Sequence, residues 1–178
     1  MQNQPNILLI TAHDLGRFLG CYGYDTVTTP YLDRLATEGR RFDEAYCVSP
    51  VCSPARGAQL TGLYPQENGL MGLTHAPFWW ALNDPKQHAC HRLREYGYDT
   101  ALFNFQHEAL DGTVLGFDER PMEASPGAPT HRPAAEVADA FEAWLPGRRA
   151  EGRPFYAQVG LFETHTPYDF GGVEPDDS

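Results

Sequence analysis

Three short, continuous apolar runs constrain the fold of this chain more than any other feature. They are Ile7-Leu8-Leu9-Ile10-Thr11, Thr100-Ala101-Leu102-Phe103-Asn104-Phe105 and Phe155-Tyr156-Ala157-Gln158-Val159-Gly160-Leu161-Phe162. Such runs read as strands buried on both faces, the pattern of a parallel sheet. Helical stretches lie between them. Thr28-Thr29-Pro30 opens a helix with Leu32 and Leu35 on one side, closed by Gly39. Gln87 to Tyr96 reads as a helix stopped by Gly97, and Ala134, Val137, Ala138, Phe141, Trp144 and Leu145 form a helical stripe. Arg41 to Tyr46 is expected as a short further strand, and Met122 to Pro133, rich in Pro, Ser and Gly, as a loop. Strands alternating with helices predict an α/β fold with a parallel or mostly parallel sheet. Ligands of such sheets sit beyond the carboxyl ends of the strands. The first strand leads to His13 and Asp14, the second to His107, the third to His165.

Composition narrows the partners. The chain has 178 residues, enough for about one domain, and 42% of them are hydrophobic, so it can build a core. A net charge of −11 excludes general nucleic-acid binding, which needs a basic face. No segment has the basic region, apolar stretch and cleavage site of a signal peptide, and none is long enough to span a membrane. As written, the chain is expected to be cytoplasmic. Of the four cysteines, Cys21, Cys47 and Cys90 read as plain thiols with no CxxC pairing.

Cys52 is different. It opens Cys52-Ser53-Pro54-Ala55-Arg56, where Ser53 suits a helix cap, Pro54 the first turn, and Gly62 the stop. Free backbone N–H groups and the positive dipole end would then lie beside residue 52, a ready site for a tetrahedral oxyanion. Arg56, one turn on, adds a planar fork of donors for oxygen atoms. A thiolate at such a position is itself reactive, so a Cys–His hydrolase is one reading of the residues alone. Asp14 offers an oxygen ligand for a hard cation. His88, His91 and His131 read as ordinary helix or loop residues.

Cys52-x-Pro54-x-Arg56, followed by Leu60-Thr61-Gly62-Leu63-Tyr64-Pro65, resembles the signature of the formylglycine-dependent sulfatases. The resemblance runs from Pro5 to about Asp169. Met71-Gly72-Leu73-Thr74-His75 and Phe117-Asp118 lean toward the heparan N-sulfatase-like branch. It implies an alkaline phosphatase-like fold, with helices on both faces of a mixed, mostly parallel sheet. The chain would be the N-terminal part of the catalytic domain (residues 1–178), truncated at its C-terminal end and inactive alone.

The implied activity is hydrolysis of a sulfate ester or sulfamate, on a sugar or other sulfated small molecule. The nucleophile would be a formylglycine made from Cys52 by a formylglycine-generating enzyme. Arg56, His107 and His165 would be catalytic: His107 taking a proton from the nucleophile, His165 serving the leaving group. His13, Asp14 and the Cys52-derived oxygen would hold a divalent metal, Ca2+ by family habit. His13 stands where the family has an acidic residue, and Phe105 where it has a lysine. His75 is a candidate substrate contact, with Trp79 and Trp80 as candidate sugar-stacking residues. Two other readings stand beside this one: a phosphonate or phosphate ester hydrolase of the same superfamily, and a non-catalytic anion- or sugar-binding remnant.

Overall fold

The computed structural model describes residues 4–122 and 132–165. The three apolar runs form the three strands of one sheet: β1 (Ile7–Thr11), β2 (Asp99–Asn104) and β3 (Phe155–Gly160). The helices are α1 (Pro30–Glu38), α2 (Cys52–Thr61), α3 (Pro65–Asn68), α4 (Ala89–Glu95) and α5 (Ala134–Glu151). The strand order is β1-β3-β2, and every pairing is parallel. The last strand in sequence is therefore the central one. Its register sets Ile10 against Val159 and Phe103 against Val159, so the three strands end level with one another.

Each face of the sheet carries its own core. On one face Leu102 and Tyr156 pack against Leu70, Leu82, Cys90, Leu115 and Phe117, under α4. On the other, Ala101, Phe103, Phe155, Ala157 and Val159 pack against Val137 of α5, with Phe141 and Trp144 alongside. Phe103 is fully buried and meets Phe141 and Trp144 edge-on, each at 5.5 Å. Its burial contributes about 2–3 kcal/mol, with somewhat more from the ring geometry. α5 covers β2 and β3 but stops short of β1. Leu8 and Ile10 on that face remain 44% and 58% exposed.

Three expectations are corrected. Residues 41–46 form bends and no strand. Arg41 turns back to Asp43 and to the carbonyl of Cys21, and Tyr22 donates to the Phe42 carbonyl, so the segment is tied locally without a sheet neighbour. α4 starts at Ala89, two residues late, because His88 caps it by accepting from the Cys90 N–H at 3.2 Å. α5 runs past its apolar stripe and through Pro146 to a left-handed Gly152. The expected loop at 122–133 falls largely outside the described residues, as does His131.

Candidate active site

α2 sets the first element of the site. Cys52 is its first residue, and the amides of this turn have no intrahelical acceptor. Ser53 is not the cap expected of it. It sits inside the helix, and its hydroxyl is buried without a hydrogen-bond partner among the described residues. Pro54 is tolerated because the first turn needs no N–H from it. The helix closes at Gly62, whose left-handed φ of 71° lets its N–H reach the Ala58 carbonyl at 2.9 Å.

The strand ends supply the rest. Beyond β1 the chain turns at Asp14, whose φ of 56° is uncommon for a residue with a side chain. His13 is fixed by the segment following β3: its N–H donates to Glu163 O at 2.9 Å, and its carbonyl accepts from Thr164 N at 2.7 Å. His13 is thereby 4% exposed and meets the His165 ring edge-on at 4.5 Å. At the last residue of β2, Asn104 adopts φ 63° and donates its side-chain amide to Gly160 O at 2.9 Å. That turn lays Phe105 across the floor of the site. Its ring lies 5.3 Å from His13, 5.4 Å from His107 and 5.2 Å from Phe162.

Cys52 and His107 meet over this floor, with Sγ 3.1 Å from Nδ1. Arg56 is 7% exposed. Its Nη1 donates to Thr11 Oγ1 at 3.0 Å, and its guanidinium stands over Phe105 at 5.0 Å. The ring where the family resemblance leads one to expect a lysine is thus a cation–π support for Arg56, which orients one charge instead of adding a second. His75 stacks on His107 at 5.2 Å, the two rings nearly parallel. The His75 carbonyl accepts from Phe78 N and Trp79 N, so Trp79 and Trp80, 60% and 44% exposed, belong to the tight loop that follows His75. A cavity of about 770 Å³ opens over Thr11, His13, Asp14, Tyr46, Cys52 and Arg56.

Behind His107 lies a buried polar chain. Glu108 Oε2 accepts from His107 N at 2.7 Å, Gln158 Nε2 donates to Glu108 Oε1 at 3.3 Å, and Tyr156 donates to Gln158 Oε1 at 3.1 Å. Burial pushes the Glu108 carboxyl above its usual range, opposed by the Arg56 charge. Sequence reasoning missed Thr11, Phe105 as a support, Glu108 and Gln158. The one signal for Gln158 was a polar residue inside an otherwise apolar run.

The electrostatic surroundings of the pair separate two chemistries. Burial pushes the Cys52 thiol up, against the opposing pull of the Ser53 amide and Arg56. Burial, with His75 and Arg56 nearby, holds His107 down to about 4. His13 is also lowered, first by burial, with Asp14 pulling the other way. At neutral pH the pair is therefore a thiol beside a neutral imidazole. A Cys–His hydrolase relies on the opposite arrangement, a thiolate beside an imidazolium.

The metal donors group around His13. His13, Cys52 and His107 offer ligand atoms within 4.8 Å of one another, as do His13, Asp14 and His165. Asp14 Oδ1 lies 3.0 Å from His13 Nδ1. Together the two groups contain one carboxylate. Calcium takes six to eight oxygens, so these residues do not fit it.

All seven residues singled out in the sequence, His13, Asp14, Cys52, Arg56, His75, His107 and His165, thus lie at the carboxyl end of the sheet. Among known proteins, the sulfatase family model matches residues 5–176. Arylsulfatase H of Canis lupus familiaris is 40% identical over 116 residues, covering 61% of this chain and 21% of its own length. Arylsulfatase A of Bos taurus is 30% identical over 219 aligned positions, covering 96% of this chain and 43% of its own. The structure of BT4656 in complex with its substrate D-glucosamine-2-N,6-O-disulfate has a TM-score of 0.76 to this chain. The two are 24% identical, over 92% of this chain and 35% of that one. That likeness supports the alkaline phosphatase-like fold. The chain spans less than half the length of these relatives. No described helix is long and apolar enough to cross a membrane. A family match over nearly its whole length, on a sheet that gathers the motif residues at one end, makes this chain a member of the sulfatase family.

Proposed function

We propose that the protein hydrolyses a sulfate ester or sulfamate on a sugar, using a nucleophile carried at residue 52. One observation carries this reading: Cys52, first residue of α2, lies 3.1 Å from His107 Nδ1, with Arg56 one turn on. When residue 52 is converted to formylglycine by a partner enzyme, its hydrate supplies a hydroxyl that attacks sulfur. The chain's own residues do the rest. Arg56, its planar guanidinium held in place by Phe105 and Thr11, binds the equatorial oxygens where negative charge gathers. The first amides of α2 face the same charge. His165 donates to the departing oxygen or nitrogen. His107, neutral at pH 7, then accepts at its ring nitrogen beside residue 52 the proton of the hydrate's second hydroxyl, as the C–O bond to the transferred sulfate breaks, sulfate leaves and the aldehyde re-forms.

The sugar reading rests on His75 and on Trp79 and Trp80, exposed aromatic residues in the loop that follows it. The lean toward the N-sulfatase-like branch rests on Met71–His75 and Phe117-Asp118. We read the chain as the N-terminal part of a longer catalytic domain. The exposed Leu8 and Ile10 face of β1 supports this, as does the fraction of its relatives it spans.

The test is a panel of sulfate, sulfamate and phosphonate esters offered to the full protein and its Cys52→Ala variant, after co-expression with a formylglycine-generating enzyme. The reading predicts turnover of a sulfate ester or sulfamate that Cys52→Ala abolishes. Preferred phosphonate turnover, retained activity in Cys52→Ala, or anion binding with no turnover would each contradict it.

A further inference from the structure

The donor set that fits calcium poorly fits another kind of ion well. We infer that, while residue 52 is still a thiol, His13, Cys52 and His107 hold one divalent transition ion of the zinc class in preference to calcium. The inference rests on the geometry of the thiol form and does not depend on the conversion of residue 52 or on sulfate turnover.

The three ligand atoms lie within 4.8 Å of one another, and Cys52 Sγ is 3.1 Å from His107 Nδ1. Zinc bonds of about 2.3 Å to sulfur and about 2.0–2.1 Å to nitrogen, at tetrahedral angles, set donors about 3.3–3.6 Å apart. The Cys52–His107 pair is within about half an ångström of that spacing. Two imidazoles and a thiolate contain no oxygen, which suits a borderline-soft ion and gives calcium nothing to bind. The surroundings also fit. Phe105 packs against both imidazoles, so the ligands are held by an apolar wall. His13 and Cys52 both line the 770 Å³ cavity, which leaves a fourth position for water or an entering anion. Asp14, 3.0 Å from His13 Nδ1, is placed to hold that ring. As the ion binds, the Cys52 S–H bond breaks, an S–metal bond forms, and one proton leaves to solvent.

No other cysteine shares such a group among the described residues: Cys21 is half-buried, Cys47 exposed and Cys90 buried. Cys47 lines the same cavity as Cys52, whereas Cys21 lies outside it and therefore serves as an internal control.

The test uses the full chain, reduced, with an unmodified residue 52 verified by mass. Cobalt(II) is the probe, because a thiolate on cobalt gives a charge-transfer band in the near ultraviolet. The expected result is one cobalt per chain with that band, displaced by zinc and retained in a large excess of calcium. Cys52→Ser should remove the band. His13→Ala and His107→Ala should each weaken binding at least about tenfold. A second measurement needs no variant: zinc should slow alkylation of Cys52 by iodoacetamide at least about tenfold while Cys21, outside the cavity, reacts as before. The inference is overturned if cobalt binds without the band, if calcium displaces it, or if zinc leaves Cys52 alkylation unchanged.

Discussion

Gly160→Ala is a one-methyl perturbation that should damage both the sheet and the site. Gly160 ends β3, where the chain passes Phe105 at backbone contact. A Cβ added there would overlap the Phe105 carbonyl oxygen and stand 2.7 Å from its carbonyl carbon and 3.1 Å from its Cα. Non-bonded carbons prefer about 3.5–4.0 Å, so Phe105 must recede by about an ångström. The obstacle is backbone, which cannot swing aside. Overpacking of this kind costs about 1–3 kcal/mol, or about 2–10 °C in Tm for a domain of this size. The functional cost follows from what Phe105 holds. Its ring supports Arg56 at 5.0 Å and borders His13 and His107. A misplacement of about 1 Å in a positioning group can cost on the order of a hundredfold in rate. Gly147→Ala is the control. It lies in α5 with nothing within 4 Å of its added Cβ, and should stabilise the helix by about 0.5–1 kcal/mol. The assay is thermal unfolding of both variants, with kcat/KM on the ester that the full protein prefers. Gly160→Ala with unchanged Tm and kcat/KM would refute the close-approach argument.

Three further outcomes follow. Arg56→Lys keeps the charge but loses the planar stack on Phe105, and should lower kcat/KM on the order of a hundredfold with little change in Tm. Both His88 and His107 are held near 4 in the folded chain, below the usual 6.5, so each binds its proton more readily when unfolded. Their stabilisation is full above about pH 6.5 and is lost as pH falls toward 4, up to about 3 kcal/mol each. Denaturant melts across that range should show it, and His88→Asn, which keeps a helix cap, should flatten the slope. Glu108→Ala strands the His107 amide and the Gln158 side chain, costs about 2–4 kcal/mol, and should shift the His107 titration measured by NMR.

The fold was legible wherever burial alone decides it. Thr100–Phe105 and Phe155–Phe162 are apolar because α4 and α5 cover both sides of the sheet there, and a continuous run reports that directly; Ile7–Thr11 has the same composition, yet Leu8 and Ile10 stay exposed because α5 stops short of β1. Residues 41–46 misled for the opposite reason: strand-like composition forms a strand only where a neighbour offers its backbone, and here Arg41 and Tyr22 close local contacts first. Strand order was not legible either, because the placement of β3 between β1 and β2 depends on crossovers that no local pattern encodes. Most of the site residues could be named because each follows a strand end or lies in the first turns of α2; His75, in the loop after α3, was named from the resemblance of Met71–His75. Their mutual support could not. The place of Phe105 beneath Arg56 depends on the left-handed turn at Asn104, and Glu108 reaches Gln158 across fifty residues of sequence.

The central claim is that the chemistry resides at residue 52, and mass spectrometry of the peptide containing it tests this most directly. Protein co-expressed with a formylglycine-generating enzyme should carry an aldehyde in place of the Cys52 thiol, and sulfate release should rise in proportion to the converted fraction. Full sulfate release from protein whose Cys52 remains a thiol, or no release at complete conversion, would contradict the account.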